Sequence, residues 1–569
     1  MCDPMADRVR QSIWTIAPTM LLALLVILQG GYYPVASSLA ILGFAALVVA
    51  RLIVTRNERR VSQSPLLIFA ALFAAWLALS PALAGDASLN SIPAGASLLV
   101  ALMAALYWVE LTTGEQHAGI RAISYLGAAC SIAGLLMLGG ILSFPGGVLN
   151  GRLQFTFQYA NSAGAFFAAM LLITCASFRG KQRLLALLPA ACLVATRSVG
   201  ALGIAGGAIA VMASRHMVLS KGRRKGALAG IAIVLAVAVG MAGLAAFDPA
   251  RWTQALQTGI DRFIQMYDGL HAWLSAPLAG LGPDGWRTTY PLLQSAQYKA
   301  NVIHCGYIQL LVSYGLVGAA LAAGTICALP RSTKRAGAPQ GMSPFVAHLA
   351  GAVLLVHAAV DIDTSYGALT ALCAMAVCTG RTSLGAGANE RGAGVSRAAL
   401  PCTLGLCACV AVFGLYADAT QTKALSLIQQ GRFQQFAVLF NDSKLLQNDT
   451  NVRTALYQTA QALEDGDTAL DIARRQPLDT DSRGEMGLVS LRYAAGDQGP
   501  AERDLLDMLE SQPHNIELFE QAAALIDRYG LSPNGWTRYE TACNAADAMT
   551  ETWPATLLRN QKDVVRAAH

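Results

Sequence analysis

Residues 35–55 read VASSLAILGFAALVVARLIVT, and residues 65–84 read PLLIFAALFAAWLALSPALA. An α-helix needs roughly 20 consecutive apolar residues to cross the hydrocarbon core of a bilayer, and each stretch meets that requirement. Similar runs recur through the first 417 residues. They predict an all-α polytopic membrane bundle with about 12–13 transmembrane helices in contact with the lipid bilayer. The predicted spans are 13–32, 35–55, 65–84, 92–109, 120–142, 160–178, 184–196, 200–214, 226–246, 304–328, 344–360, 366–380 and 398–416.

The composition agrees with this fold class. Of the 569 residues, 54% are hydrophobic and 13% are charged, whereas a soluble globular chain carries about 25% charged residues. This excludes a disordered chain, a disulfide scaffold and an ordinary soluble enzyme. The twelve cysteines show neither the paired spacing of a zinc site nor a disulfide framework, and we expect no metal and no cofactor.

Charge divides the chain into two domains. Residues 418–569 contain 22 acidic and 14 basic residues, a net charge of −8, whereas residues 1–417 contain 13 acidic and 27 basic residues, a net charge of +14. We therefore predict a basic membrane domain at 1–417 and an acidic, soluble-looking domain at 418–569. The basic residues lie in short loops between apolar runs, so we expect no nucleic-acid partner.

The basic loops also predict the orientation. With a cytoplasmic N-terminus, one set of loops holds nearly all Lys and Arg, at 56–60, 121, 179–183, 215–225, 331–335 and 381–397. Basic loops remain on the cytoplasmic side of a membrane. The long 247–303 loop, Arg152, Arg197 and the C-terminal domain are then extracytoplasmic. Since an arginine at the outer membrane edge opposes this bias, Arg152 and Arg197 call for a functional explanation.

The C-terminal domain shows a weak repeat. Gly431, Gly466 and Gly496 each begin a similar amphipathic segment, with spacings close to the 34 residues of a tetratricopeptide repeat. The pattern resembles a short array of such helical hairpins, and a plain helical bundle is the alternative. We expect this domain to present a surface to a protein partner or to the substrate.

Polar and aromatic residues of the membrane domain are densest in the 247–303 loop and the span after it. Glycine-rich turns allow close backbone approach, arginine offers a planar fork of donors for phosphate, and histidine transfers protons near neutral pH. Each residue alone also fits a structural role in a turn, an interfacial aromatic belt or a helix cap. In chain order they are Arg262, Tyr267, Trp273, Pro277, Gly280 to Arg287, Tyr290, Tyr298, and His304 to Gly318.

The run from His304 to Gly318 resembles the signature of the O-antigen ligase and O-antigen polymerase superfamily, in which His-Asn-x-Tyr-Leu precedes a Gly-Leu-x-Gly turn. Cys305 replaces the asparagine here, and Ser313-Tyr314 replaces the acidic residue often found before the turn. Four further segments extend the resemblance over about 150–366. They are the Pro-Leu-x-Gly-x-Gly element at 277–282, the segment Gly151 to Asn161, Thr196-Arg197-Ser198 with Gly200, and His357 to Tyr366.

The resemblance implies a membrane glycosyltransferase at the outer face of a bacterial inner membrane. The donor would be a glycan on polyprenyl (undecaprenyl) pyrophosphate, and the acceptor a hydroxyl on a lipid, a glycan or a protein. The catalytic candidates are His304, Arg197 and Arg287, with His304 as general base or phosphate contact, and with Arg152 joining the two arginines in a pyrophosphate clamp. The candidate substrate-binding residues are Arg152, Arg262, Asn161, Tyr307, Trp286, Asp361 and Asp363.

Several alternatives remain open at this stage. Ligase, chain polymerase and protein O-oligosaccharyltransferase share these motifs. Many spans with a charge near the membrane also fit a polysaccharide transporter or lipid flippase, although no internal repeat is evident in the membrane domain. A non-enzymatic scaffold would need fewer spans than this chain contains.

Overall fold

A computed structural model of the chain describes residues 4–54, 65–85, 91–178, 180–225, 249–296, 298–329, 344–382, 393–462 and 482–549, with isolated positions 89, 228, 230–233, 235, 240 and 471 between them. Helices dominate this part of the chain, and the sheet it contains is one short hairpin of β1 (Val148–Leu149) and β2 (Arg152–Leu153). The membrane domain contains α1 (Pro4–Ile27), α2 (Pro34–Val54), α3 (Pro65–Leu83), α4 (Ala96–Val109), α5 (Thr113–Leu138), α6 (Ala160–Ser177), α7 (Leu187–Ala195), α8 (Val199–Lys221), α9 (Pro249–Ser275), α10 (Gly285–Leu293), α11 (Gly306–Cys327), α12 (Pro344–Ala358), α13 (Gly367–Cys378) and α14 (Ala393–Gln429).

Seven described helices are long and apolar enough to cross a membrane: α2, α3, α5, α6, α8, α11 and the part of α14 from residue 398. They match seven predicted spans, which confirms a helical protein with helices long and apolar enough to cross a membrane. Four other predicted spans coincide with shorter apolar helices at 13–27, 93–109, 344–358 and 367–378. The predicted span 184–196 contains the nine-residue helix α7. Most of the predicted span 226–246 lies outside the described residues, so the total of 12–13 stays a prediction.

The helices pack through close contacts and internal hydrogen bonds, as expected where lipid gives no hydrophobic advantage to helix association. Helix α4 is buried on most of its surface, including Leu99, Met103 and Trp108. Between α2 and α5, Arg51 donates two hydrogen bonds to the carboxylate of Glu115, at 2.9 and 2.8 Å, and both side chains are buried. Removing one partner of such a pair leaves a buried charge without compensation.

The two ends of the bundle differ. At the end carrying the Arg51–Glu115 pair, Gln116 binds Arg381 O and Gly380 N, which joins α5 to the chain after α13. At the other end, called the site end below, the loop before α6 meets the loops after α7 and α12. There Arg152 Nε donates to Thr196 O at 3.0 Å, and Tyr366 OH lies 3.4 Å from Phe157 O.

The C-terminal domain is joined to the membrane domain by one continuous helix. The boundary predicted at 417/418 falls inside α14, whose Ala417, Ala424 and Ile428 belong to the core of the C-terminal domain. Gly431 and Gly496 adopt positive φ at helix ends, as their predicted turn positions require, whereas Gly466 lies outside the described residues. The helices after α14 are α15 (Phe433–Asn441), α16 (Lys444–Gln447), α17 (Thr450–Ala462), α18 (Ser482–Ala494), α19 (Gln498–Ser511), α20 (Ile516–Tyr529) and α21 (Pro533–Met549).

Candidate active site

Arg152 is positioned by the β1–β2 hairpin. Asn150 and Gly151 form its two-residue turn with φ of 51° and 67°, the left-handed pair that a type I′ turn requires. The strands pair Leu149 with Arg152. The Asn-Gly dipeptide is the strongest short-range hairpin signal, so this element could have been found from the sequence.

The guanidinium of Arg152 joins two other segments of the site end. Its Nε donates to Thr196 O, and its Nη2 donates to Asn161 Oδ1 at 3.2 Å. The amide of Asn161 then donates to the hydroxyl of Tyr159 at 3.0 Å. The structure therefore brings together Arg152 and Asn161, both predicted, and adds Tyr159.

Arg262 extends this network from α9. Its Nη2 donates to Tyr159 OH at 3.0 Å and lies 3.0 Å from Asp361 Oδ2, while its Nη1 donates to Val360 O at 2.7 Å. Asp361 is fully buried, so the guanidinium compensates a carboxylate that would be costly without a cation. Arg262 thus fixes α9 against the loop after α12.

A second buried pair lies beside the first. His357 Nδ1 is 2.5 Å from Asp363 Oδ2, and Ser162 donates to Asp363 Oδ1 at 2.9 Å. All three side chains are buried. The two carboxylates singled out by the sequence therefore have different partners. Asp361 pairs with Arg262, whereas Asp363 contacts His357 and Ser162.

His304 lies two residues before α11, which begins at Gly306, and is oriented by α9. Its Nδ1 is 2.8 Å from Gln265 Oε1, and its backbone N–H donates to the same oxygen at 3.4 Å. Because an amide oxygen only accepts hydrogen bonds, this contact places the ring proton on Nδ1 and leaves the lone pair on Nε2. Burial lowers the pKa of His304, and the Asp361 carboxylate raises it while Arg262 lowers it. A lowered pKa keeps the imidazole neutral near pH 7, as a general base requires.

Three residues on one face of α9 organise the site, and sequence reasoning identified only the first. They are Arg262, Gln265 and Asp268, spaced three residues apart, and the last two are buried. Asp268 accepts hydrogen bonds from Ser295 N and from Tyr298 OH, at 2.9 and 2.8 Å. The signal was the amphipathic period of residues 249–275, which marks a helix within the segment predicted as a long loop.

The two glycine motifs of the resemblance meet each other. Helix α11 is interrupted at Gly315, with φ 64° and ψ −172°, and the segment 277–282 docks against this break. Leu316 N donates to Pro277 O at 2.9 Å, Val317 N to Leu278 O at 3.2 Å, and Leu281 N to Val312 O at 2.7 Å. These hydrogen bonds satisfy the polar groups that the interruption leaves without helical partners.

Arg197 occupies a strained position between α7 and α8. Its φ is +48°, a left-handed conformation that costs a non-glycine residue roughly 1–2 kcal/mol. Its side chain is exposed, and the preceding carbonyl, Thr196 O, is the one that Arg152 binds. Such strain is concentrated at functional sites, which favours a ligand-binding role for Arg197.

The other three predicted site residues, Trp286, Arg287 and Tyr307, have partners outside this hydrogen-bond network. Trp286 is completely buried, donates to Ala300 O at 2.8 Å and stacks on Tyr290. Arg287 pairs with Asp284 at 2.5 Å, and it is close enough to Asp449 of the C-terminal domain to influence that carboxyl. Tyr307 donates to Leu355 O at 2.7 Å and so joins α11 to α12.

The site end therefore presents a compact set of charges: the pairs Arg262–Asp361 and His357–Asp363, with Arg152 and Arg197 beside them. Arg152 donates its hydrogen bonds to neutral oxygens of Thr196 and Asn161. In the part of the chain that the structure describes, no three His, Cys, Asp or Glu side chains are grouped as metal ligands. Asp361 and Asp363 direct their oxygens at Arg262, His357 and Ser162 instead.

No protein-family model matches this chain, and no curated protein matches it. The functional argument therefore depends on the residues of the site and on their geometry.

Proposed function

We propose that this protein is a membrane glycosyltransferase that moves a glycan from a polyprenyl pyrophosphate to an acceptor hydroxyl, as a ligase or polymerase of surface polysaccharide. One observation carries the proposal. Arg152, Asn161, Arg262, Asp361 and His304 come from distant parts of the chain, and they meet at one end of an apolar helical bundle. Cationic groups at a membrane edge suit a lipid-linked pyrophosphate, whose anionic part lies at the interface.

The chemistry follows from this arrangement. The acceptor oxygen attacks the anomeric carbon of the donor, the bond from that carbon to the pyrophosphate oxygen breaks, and polyprenyl pyrophosphate leaves with the bonding electrons. Nε2 of His304 takes the proton of the acceptor hydroxyl. Arg152 and Arg197 stabilise the negative charge that develops on the leaving group, where water is partly excluded. Arg262 holds α9, and with it Gln265, in place.

The orientation belongs to the same proposal. We propose that the N-terminus and the basic loops lie in the cytoplasm, where basic loops normally remain, and that the site end therefore lies at the outer face of a bacterial inner membrane. The C-terminal domain then lies outside with the site, and we propose that its tetratricopeptide-like helices receive a protein, lipid or glycan acceptor.

The test is glycan transfer in proteoliposomes that contain the purified chain and a polyprenyl-pyrophosphate glycan. We expect Arg152→Ala, Arg197→Ala and His304→Gln each to lower kcat about 100-fold or more, since one charge-stabilising group or general base contributes on that order. Product blots separate chain extension from attachment to an acceptor, and thereby polymerase from ligase.

Two matched variants control for general damage. Arg121→Ala removes an exposed arginine from α5, and His271→Gln removes an exposed histidine from α9. Both should retain wild-type transfer. Full transfer by the three site variants, after normal insertion has been checked, would reject the proposal and favour transport of the glycan lipid.

A further inference from the structure

Helix α9 has two faces of opposite character. Gln265, Asp268 and Ala272 are buried on the inner face, against the site end and the segment 294–305. The outer face is an exposed apolar stripe. Its residues are Leu256, Phe263, Leu270 and Leu274, followed by Leu278 beyond the helix end, and each is between 41% and 64% exposed.

The stripe lacks the charge that a water-facing helix normally carries. From 263 to 278 the sequence contains one charged residue, Asp268, and that side chain is buried. The exposed polar side chains that the structure describes on α9 are uncharged or weakly basic, and they include Gln254 and Gln257 near its start, and Tyr267, His271 and Ser275 further along.

The stripe continues onto the exposed apolar surface of α11. Leu278 lies against the break in α11, where Val317 N donates to Leu278 O, and the neighbouring Leu316 is 51% exposed. Leu316 belongs to a helix that is long and apolar enough to span a membrane. When such a helix crosses a bilayer, its exposed apolar side chains lie in hydrocarbon. Leu278 joins this surface of α11 to the stripe on α9.

We infer that the outer face of α9 is a lipid-binding surface that lies in the boundary between headgroups and acyl chains. An amphipathic helix on a membrane buries its apolar face about 5–10 Å into this layer. The occupant is the bilayer itself, and the inference does not depend on the proposed transfer reaction. Lipid contact on one face supports α9 while its other face holds Arg262 and Gln265 at the site end.

Photo-crosslinking in proteoliposomes of phosphatidylethanolamine and phosphatidylglycerol tests this surface. The intact chain carries p-benzoyl-phenylalanine in place of Leu270 or Leu274, and mass spectrometry of the irradiated protein detects covalent phospholipid. Both side chains are exposed, Leu270 by 41% and Leu274 by 62%, so the probe does not replace a buried core residue. We expect phospholipid adducts at both positions in yields within about twofold to threefold of those at Ile326, which is 58% exposed on α11.

Val438, which is 65% exposed on α15 of the C-terminal domain, is the matched negative position and should give no phospholipid adduct. Adducts at Leu270 and Leu274 with a second copy of the chain, or no lipid adduct there while Ile326 gives one, would overturn the inference. Because Ile326 reports insertion in the same membrane, failure of α9 to bind lipid is distinguished from failure to insert.

Discussion

At the scale of single residues, Gln265 determines the state of His304. Its side-chain oxygen faces both the ring Nδ1 and the backbone N–H of His304, which defines one tautomer and one ring orientation. A positioned base depends on such support, because the wrong tautomer directs a proton where a lone pair is needed.

We expect Gln265→Leu to lower kcat about 10- to 100-fold with little change in KM, since the general base is disoriented while donor binding is retained. Gln265→Glu should retain much of the wild-type rate, because a carboxylate oxygen also accepts the hydrogen bond from Nδ1–H. It should also move the acidic limb of the pH profile of kcat/KM to higher pH, since the added negative charge raises the pKa of His304. A merely structural role for Gln265 would produce no such displacement of the limb.

Arg262 provides a second test of His304 through pH. Protonation of Nε2 abolishes a general base, so activity is lost as pH falls through the pKa of His304, and a lowered pKa displaces that loss to more acidic pH. Arg262 contributes to lowering this pKa, whereas Asp361 raises it. We therefore expect Arg262→Gln to shift the acidic limb of kcat/KM to higher pH. Arg287→Gln, which removes an arginine paired with Asp284, should leave the limb where it is.

At the scale of elements, the break in α11 and the segment 277–282 stabilise each other. A Cβ at Gly315 would overlap Leu278 O and lie 2.6 Å from Gly280 N. Both neighbours are backbone, so neither moves without displacing its chain. Gly315 also has the positive φ that only glycine adopts without strain.

We expect Gly315→Ala to lower the free energy of unfolding by at least about 1–3 kcal/mol, the cost of a strained backbone conformation, and to separate segment 277–282 from α11. Thermal unfolding in detergent measures the loss. Gly203→Ala is the matched change, because no atom lies within 4 Å of a Cβ at this exposed helical glycine. That variant should be neutral or more stable by up to about 1 kcal/mol. Equal behaviour of the two variants would contradict the assigned docking.

At the scale of the whole molecule, the C-terminal domain rests on the loop that leads to His304. Gln294 donates to His514 O at 2.6 Å, and Lys299 pairs with Glu517 at 2.7 Å. The side chain of His514 is buried at this junction. Burial lowers its pKa below the ordinary value of 6.5, against an opposing influence of Asp268.

This gives the junction a pH dependence of known sign. A histidine whose pKa is lower in the folded state than in the unfolded state is neutral in both states well above its ordinary pKa and then costs no stability. As pH falls below about 6.5, the unfolded state binds the proton more readily, and the free energy of unfolding decreases. We expect the unfolding temperature of the C-terminal domain to fall between pH 7.5 and 5.5, and His514→Gln to reduce this dependence. Gln294 binds the backbone carbonyl of residue 514, so the substitution leaves that hydrogen bond in place. An unchanged pH dependence in His514→Gln would assign it to other groups.

The sequence alone predicted the helices that depend only on neighbouring residues. A helix of apolar residues forms wherever the run is long enough, so seven predicted spans reappear within one or a few residues except at the start of α5 and at the far ends of α8 and α14. The motifs also singled out Arg152, Asn161, Arg262, His304, Asp361 and Asp363, which lie at the same end of the bundle, because charged and polar residues are rare in an apolar chain. Their roles in a reaction stay a prediction. Helix α9 was hidden within the predicted loop, although its amphipathic period was visible.

Only the tertiary structure decided which of these residues face one another. Arg262 meets Asp361, which lies 99 positions later in the sequence. Arg287, which follows the glycine-rich segment 280–285, pairs with Asp284 and lies near Asp449 of the C-terminal domain instead. The amphipathic period marks the helix that carries Gln265 and Asp268, but no local signal marks their partners or those of Tyr159, since these contacts form only after packing. Helix formation depends on neighbours a few residues away, whereas the pairing of buried charges depends on how distant helices pack, and a single sequence specifies that packing only through the complete fold.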